Sequence, residues 1–130
     1  MPMLGQYGSW SEVNIVPSKI KFATEDVIFH EGDEGDAAYL LISGEVWLFQ
    51  GEGPLQTLLD VKNKGHVFGE MALYSDKPRV AAAIAKSDVS CIMVDKKEFK
   101  ERLSKEEKDP ITISLIKSVK QHGVKASEIS

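Results

Sequence analysis

The chain has 130 residues, of which 42% are apolar and 28% are charged, and its net charge at pH 7 is −4. This composition is typical of one folded globular domain and excludes a disordered, collagen-like or disulfide-stapled chain. The acidic balance argues against a broad nucleic-acid surface, because such binding depends on many contacts from Lys and Arg to phosphates. A single small phosphate ligand remains compatible with it.

Two further features predict a cytoplasmic chain. The single cysteine, Cys91, lies in the apolar run VSCIMV, so it is expected to be a small buried hydrophobe, and no disulfide can form within the chain. The N-terminal stretch lacks the basic start and apolar core of a signal peptide, and no stretch approaches the ~20 apolar residues of a membrane span. We therefore expect a protein that contacts neither a membrane nor nucleic acid.

In chain order, residues 1–13 predict a loose lead-in with at most one helical turn, near Trp10 to Val13. From residue 14 to 94, runs rich in Val, Ile, Phe, Tyr and Leu alternate with turns rich in Gly, Asp and Asn about every ten residues, a spacing typical of an all-β sandwich or barrel. The predicted strands are SKIKFA, VIFH, AAYLLIS, EVWLFQ, LQTLLDV, AAAIAKS and VSCIMVD.

Two patterns could indicate a metal site, the acidic stretch EGDEGD and the three histidines, but neither has the spacing of metal ligands. The acidic stretch EGDEGD lacks the alternating ligands and the closing bidentate Glu of an EF-hand loop, so it predicts tight turns. The histidines His30, His66 and His122 show no paired metal-binding spacing, so an enzyme of the cupin kind has little support. We expect no metal site and no enzymatic activity.

After the last predicted strand, the apolar period becomes helical. Asp95 is the expected N-cap of an amphipathic helix in DKKEFKERLSKEE, with Phe99 on its apolar face. Pro110 interrupts this helix, and a second one is predicted over ITISLIKSVKQH, ending at Gly123. Residues 95–130 are therefore expected to be C-terminal helices of the same domain, with a frayed end.

The stretch from residue 68 to 82, FGEMALYSDKPRVAA, has the composition of an anion pocket. Gly69 lets backbone approach a ligand, a short helix offers unpartnered N–H groups, and Arg79 adds positive charge. A guanidinium matches phosphate oxygens, whereas the carboxylate of Glu70 only accepts hydrogen bonds and suits a sugar hydroxyl. From these residues alone an alternative stays open: Glu70 as a helix-dipole charge, and Arg79 as half of a surface ion pair with Asp76 or Glu70.

Three segments in this order resemble the cyclic-nucleotide-binding domain family, which includes the catabolite activator protein and the regulatory subunit of cAMP-dependent protein kinase. They are VIFHEGDEGDAAYLLISGEVWLF, GHVFGEMALYSDKPRVAAAIAKSD and DKKEFKERL. They are similar to the family's opening strands and turns, its phosphate-binding cassette and the helix after its β-roll. The resemblance implies a mainly β fold: an eight-stranded, jelly-roll-like β-roll (double-stranded β-helix) with a short cassette helix and C-terminal helices.

The resemblance also implies roles for individual residues. Arg79 pairs with the cyclic phosphate, Glu70 accepts a hydrogen bond from the ribose 2′-hydroxyl, and a residue of the last helix covers the base. The candidates for this cover are Ile116, Val119 and His122. The full predicted ligand-binding set is Phe68, Gly69, Glu70, Met71, Ala72, Leu73, Arg79, Val80, Ala81 and Ala82.

The residues after Arg79 bear on the choice of base. Relatives that prefer guanine commonly place Thr or Ser next to the arginine, whereas Val80, Ala81 and Ala82 carry no hydroxyl. A missing hydrogen bond costs about 0.5 to 1.5 kcal/mol, up to about tenfold in affinity. We therefore expect cAMP as the ligand in preference to cGMP.

The expected function is a regulatory sensor that binds a cyclic nucleotide and transmits its occupancy through the C-terminal helices to a protein effector of unknown identity. Two alternatives stay open. One is a β-roll without ligand that works through protein contacts, and the other is the sensor half of a cAMP-dependent transcription factor that lacks its DNA-binding domain.

Overall fold

Eight strands form two antiparallel sheets in the computed structural model, which describes residues 17–122. The strands are β1 Ser18–Phe22, β2 Val27–Phe29, β3 Ala37–Ser43, β4 Val46–Gln50, β5 Thr57–Lys62, β6 Val67–Phe68, β7 Ala82–Ala85 and β8 Val89–Asp95. One sheet has the order β1–β8–β3–β6 and the other the order β2–β7–β4–β5. This arrangement confirms the predicted mainly β fold with eight strands.

Strand β3 is buried on both faces, which explains its continuous apolar run. Tyr39 and Leu41 belong to the core between the sheets, whereas Ala38 and Leu40 belong to a second core beneath the C-terminal helices. Successive side chains of a strand point to opposite faces, so one strand supplies both cores. The sheet β1–β8–β3–β6 is therefore the middle layer of the domain.

The predicted strands differ from the observed strands at two places. Strand β6 is only two residues long and shows no period of its own; it exists because Val67 and Phe68 pair with β3. The predicted run LQTLLDV begins too early, since Leu55 ends a 3-10 helix, Gly53–Leu55, with a proline in its first turn. Proline fixes its φ near the helical value, so it favours this turn over a strand.

Two helices follow the strands, α1 at Lys96–Leu103 and α2 at Pro110–Lys120. The Asp95 side chain accepts a 2.7 Å hydrogen bond from the Glu98 N–H, which confirms the predicted N-cap. Asp109 caps α2 in the same way, with Pro110 in the first turn, where its missing N–H costs nothing. Within residues 17–122, neither helix has the length and apolarity needed to cross a bilayer.

Some expectations fall outside the described residues. The lead-in at 1–13, the predicted helix end at Gly123 and the final residues VKASEIS all lie there. The proposed division into 1–13, 14–94 and 95–130 therefore stays a prediction. Cys91 is fully buried in β8, as expected, and burial raises the pKa of its thiol to about 11, which keeps it protonated near neutral pH.

Candidate ligand-binding site

A cavity of about 210 Å³ lies between the sheet β2–β7–β4–β5, the stretch 68–82, here called the cassette, and the end of α2. Seven of the ten predicted ligand-binding residues line it. They are Gly69, Glu70, Met71, Ala72, Arg79, Val80 and Ala81. The fold thus brings most of the predicted site to one wall of a single cavity.

The three remaining residues of that set lie elsewhere. Phe68 is fully buried and stacks on Tyr39, with the ring centroids 5.1 Å apart. Leu73 is also fully buried, in the core beneath the C-terminal helices, and Ala82 begins β7, paired with Phe49 of β4. Phe68 and Leu73 therefore anchor the cassette in the two cores, while Gly69–Ala72 and Arg79–Ala81 line the cavity.

Gly69 is needed for two independent reasons. It precedes the 3-10 helix Glu70–Leu73 with φ of 72°, in the left-handed region that disfavours side chains. A Cβ at this position would also lie 2.9 Å from Nη1 of Arg79. The close approach predicted for this glycine is therefore an approach to Arg79.

Arg79 is held by neutral groups. Its Nη1 donates to the Gly69 carbonyl (3.1 Å), and its Nη2 donates to the Ala37 carbonyl (2.7 Å). The Phe29 ring lies beneath the guanidinium, 4.1 Å from Cζ to the ring centroid, which is a cation–π contact. Within residues 17–122 Arg79 forms no ion pair, so its positive charge is not cancelled.

The ion-pair alternative for Arg79 is therefore wrong. Asp76 pairs instead with Lys96, at 2.9 Å, and Glu70 contacts His122. The buried Nε of Arg79 has no hydrogen-bond partner among the described residues. Burial lowers the pKa of the guanidinium, and nearby groups, chiefly Tyr39 and Asp36, oppose this shift. The group stays protonated, as arginine does in proteins, and is electrostatically suited to an anion.

The turn EGDEGD holds Arg79 in place, which the sequence did not reveal. The Arg79 N–H donates to the Asp33 carbonyl and the Gly32 N–H donates to the Arg79 carbonyl, both at 2.8 Å. A Cβ on Gly35 would lie 2.3 Å from Nε of Arg79. The predicted tight turn is present at Glu31 and Gly32 but not at residues 33–36, and the need for glycine at 35 is visible only once Arg79 is seen packed against it.

Glu70 faces the end of α2. Its Oε1 lies 2.6 Å from Nε2 of His122; the Glu70 side chain is 14% exposed and the His122 side chain 45%. His122 also lines the cavity, whereas Val119 is buried in the core and Ile116 packs against the same core. Of the three candidates for covering a base, His122 is therefore the one that the structure brings to the site.

Several cavity residues had no signal in the sequence. They come from the neighbouring strands or the cassette loop: Phe29, Leu48, Leu59, Asp60, Lys62, Lys77 and Pro78. Lys62 Nζ lies 3.1 Å from the Asp60 carboxylate, so these two charges on the cavity wall are paired with each other. Leu59 is 48% exposed on the edge strand β5. An exposed leucine there is a weak sign of a binding surface, and the sequence alone does not show that it lines a cavity.

The described residues contain no cluster of three or more His, Cys, Asp or Glu side chains that could hold a metal ion. His66 Nδ1 accepts a hydrogen bond from the Asn63 N–H, a local turn contact. The fold and the cavity define a class of protein: a β-roll with a small cavity lined by the Glu70 carboxylate and by Arg79, which forms no ion pair within residues 17–122.

Comparison with known sequences identifies the family. The profile of the cyclic nucleotide-binding domain matches residues 19–106, and the chain belongs to this family. The chain is 49% identical over 83 residues to the cAMP-dependent protein kinase regulatory subunit of Hypocrea atroviridis, a match that covers 64% of this chain and 17% of that protein. It is 37% identical over 107 residues to the Aspergillus niger regulatory subunit, covering 79% of this chain and 25% of that protein.

Solved structures agree with this assignment. The EAL enzyme Bd1971 in a half-site-occupied form has a TM-score of 0.67 and 28% identity, covering 84% of this chain and 100% of that chain. Thermus thermophilus catabolite activator protein also has a TM-score of 0.67, with 24% identity and coverage of 91% and 53%; at this identity it supports the fold alone. The chain spans a quarter or less of the two regulatory subunits, so it corresponds to one module of such proteins.

Proposed function

We propose that this chain binds a cyclic nucleotide, preferentially cAMP, in the cavity beside the cassette. The carrying observation is that Arg79 and Glu70 line one cavity, and that Arg79 keeps an uncancelled positive charge there. Arg79 pairs with the cyclic phosphate, and Glu70 accepts a hydrogen bond from the ribose 2′-hydroxyl. One ligand thus uses a group that only donates and a group that only accepts.

The environment of Arg79 supports its proposed role. Two of its five N–H donors are used by carbonyls, which fix the guanidinium plane without neutralising it. Nε is buried against Gly35, so the second N–H groups of Nη1 and Nη2, together with the charge, are the donors proposed for the phosphate oxygens. Cassette backbone around Gly69, Met71, Ala72, Leu73 and Ala81 is proposed to supply further N–H donors.

The preference for cAMP rests on the residues after Arg79. Val80 is 49% exposed at the cavity, Ala81 is buried beside it, and neither they nor Ala82 offer a hydroxyl to guanine. The relatives from Hypocrea atroviridis and Aspergillus niger are named as cAMP-dependent, which supports the same choice. Binding of cGMP is expected to be weaker, by up to about tenfold for the one missing hydrogen bond.

We further propose a regulatory role without catalysis. The end of α2 contacts the cavity through His122, so a ligand can bias the position of this helix if it binds one position better than the other. Pro110 lies at the start of α2, where the connection to α1 can serve as a hinge. The protein effector that detects this movement stays unidentified, and a cytoplasmic location stays a prediction.

Calorimetric titration with cAMP tests the site. Arg79→Ala should weaken binding by about 1.5 to 3 kcal/mol, roughly 10- to 150-fold, because a charged hydrogen-bond donor to the phosphate is lost. Lys97→Ala is the matched control, since it removes one exposed positive charge that does not line the cavity.

Unchanged affinity in Arg79→Ala would contradict the assignment of the phosphate site. The wild-type chain is also heated with and without millimolar cAMP. A ligand at 100 times its dissociation constant adds about 2.7 kcal/mol of stability, so a melting temperature that cAMP does not move would favour the alternative of a β-roll that works without a ligand.

A further inference from the structure

The contact between Glu70 and His122 carries a further inference, which rests on the proposed function. Oε1 of Glu70 lies 2.6 Å from Nε2 of His122, within hydrogen-bond distance. The same carboxylate is the proposed acceptor for the ribose 2′-hydroxyl. We propose that His122 and the ribose hydroxyl compete for Glu70, so that this hydroxyl, and not the phosphate, is the part of the ligand that releases the end of α2.

Competition follows from the limited access to Glu70. Only 14% of its side chain is exposed, and His122 shares the cavity from which a ligand would approach it. His122 already occupies Oε1 of Glu70, so a ribose hydroxyl that bonds this oxygen displaces the imidazole.

The phosphate side of the cavity makes no such contact with α2. Arg79 donates to the Gly69 and Ala37 carbonyls and lies over the Phe29 ring, and all three belong to the β-roll or the cassette. A phosphate can therefore approach Arg79 while His122 stays on Glu70. The two halves of one ligand then have different consequences for the helix.

This difference predicts how a ligand without the hydroxyl behaves. The 2′-deoxy analogue of cAMP binds through its phosphate and leaves the contact between Glu70 and His122 intact. For cAMP, breaking this contact offsets part of the affinity that the hydroxyl contributes. The ratio of the dissociation constant of 2′-deoxy-cAMP to that of cAMP therefore measures the competition.

The experiment is a calorimetric double-mutant cycle with both nucleotides on the full chain: wild type, His122→Ala, Glu70→Ala and the double variant. His122→Ala should raise the ratio about two- to tenfold, the worth of one hydrogen bond, by tightening cAMP alone. In the Glu70→Ala background, His122→Ala should leave the ratio unchanged. Gln121→Ala, an exposed neighbour at the end of α2, is the matched control and should behave as wild type.

Two outcomes would overturn the competition. If His122 covers the base, His122→Ala weakens both nucleotides equally and the ratio stays at its wild-type value. If His122 orients Glu70 for the ligand, the ratio falls. A wild-type chain that binds neither nucleotide would instead overturn the proposed function, and this inference with it.

Discussion

The two arginines of this chain occupy contrasting environments. Arg102 is 2% exposed; its Nε donates to Glu98 and its Nη1 to Asp109, both at 2.8 Å, with Thr112 Oγ1 at 3.3 Å from Nη1. Arg79 is half-buried and meets only carbonyls and an aromatic ring. One arginine is neutralised by carboxylates, and the other is held in place with its charge unmatched.

This contrast separates a structural arginine from a candidate ligand-binding one. Arg102 ties α1 to the first turn of α2, because its two carboxylate partners lie on α1 and at the N-cap of α2. A buried charge needs such partners, since removing either one leaves the other poorly solvated. Arg79 has no such carboxylate partner among residues 17–122, and the cyclic phosphate is its proposed counter-charge.

The largest expected effect is on stability, at Arg102. Arg102→Ala should destabilise the fold by about 3 kcal/mol, because Glu98, whose side chain is only 17% exposed, loses its counter-charge and the buried Arg102 side chain leaves a cavity. Urea denaturation measures this free energy of unfolding. Lys97→Ala on the same helix should change it by less than about 0.5 kcal/mol. A loss below about 1 kcal/mol at Arg102 would mean that the ion pairs add little in solution.

The next prediction concerns the position of Arg79. Gly35 does not adopt a positive φ, so alanine suits its backbone. The new Cβ would lie only 2.3 Å from Nε of Arg79, so the guanidinium would have to move. Gly35→Ala should therefore weaken cAMP binding by about tenfold or more. In an Arg79→Ala background the same change should have no further effect on affinity. Additive losses in the double variant would contradict this mechanism, and Glu34→Gln in the same turn is the control.

The smallest expected effect is a pH dependence at Asp109. Burial raises the pKa of this carboxyl, but hydrogen bonds from Thr112 and the charge of Arg102 lower it more, so it lies below its ordinary value. A depressed pKa stabilises the fold above the unfolded-state value of about 3.9, and this contribution is lost as the pH falls through the folded-state pKa.

Asp109→Asn isolates that charge, because asparagine is also a good N-cap. The variant should be less stable than wild type at pH 7 by under about 1 kcal/mol, since half of the Asp109 side chain is exposed. The difference should shrink as the pH falls below about 4. Thermal unfolding from pH 7 to pH 3 measures it, and a difference that does not change with pH would contradict the charge explanation.

Much of this architecture was predictable because its causes are local. The N-cap at Asp95 depends on one side chain and an N–H three residues later, and the apolar runs of β3 and β8 follow from their burial. The outer residues of the cassette, from Gly69 to Ala72, line the cavity, and their role in ligand binding stays a prediction. Strand β6 was missed because two residues carry no period.

Propensity, capping and turn geometry act over a few residues, so the sequence predicts seven of the eight strands, the helix starts and the chemical types at the site. The groups that Arg79 and Glu70 contact follow from tertiary packing. Their partners, from Phe29 and Gly35 to His122, are distant in sequence and become neighbours when the sheets close and α2 packs against the roll. Whether an arginine is paired or available depends on that packing, and residue type does not reveal it.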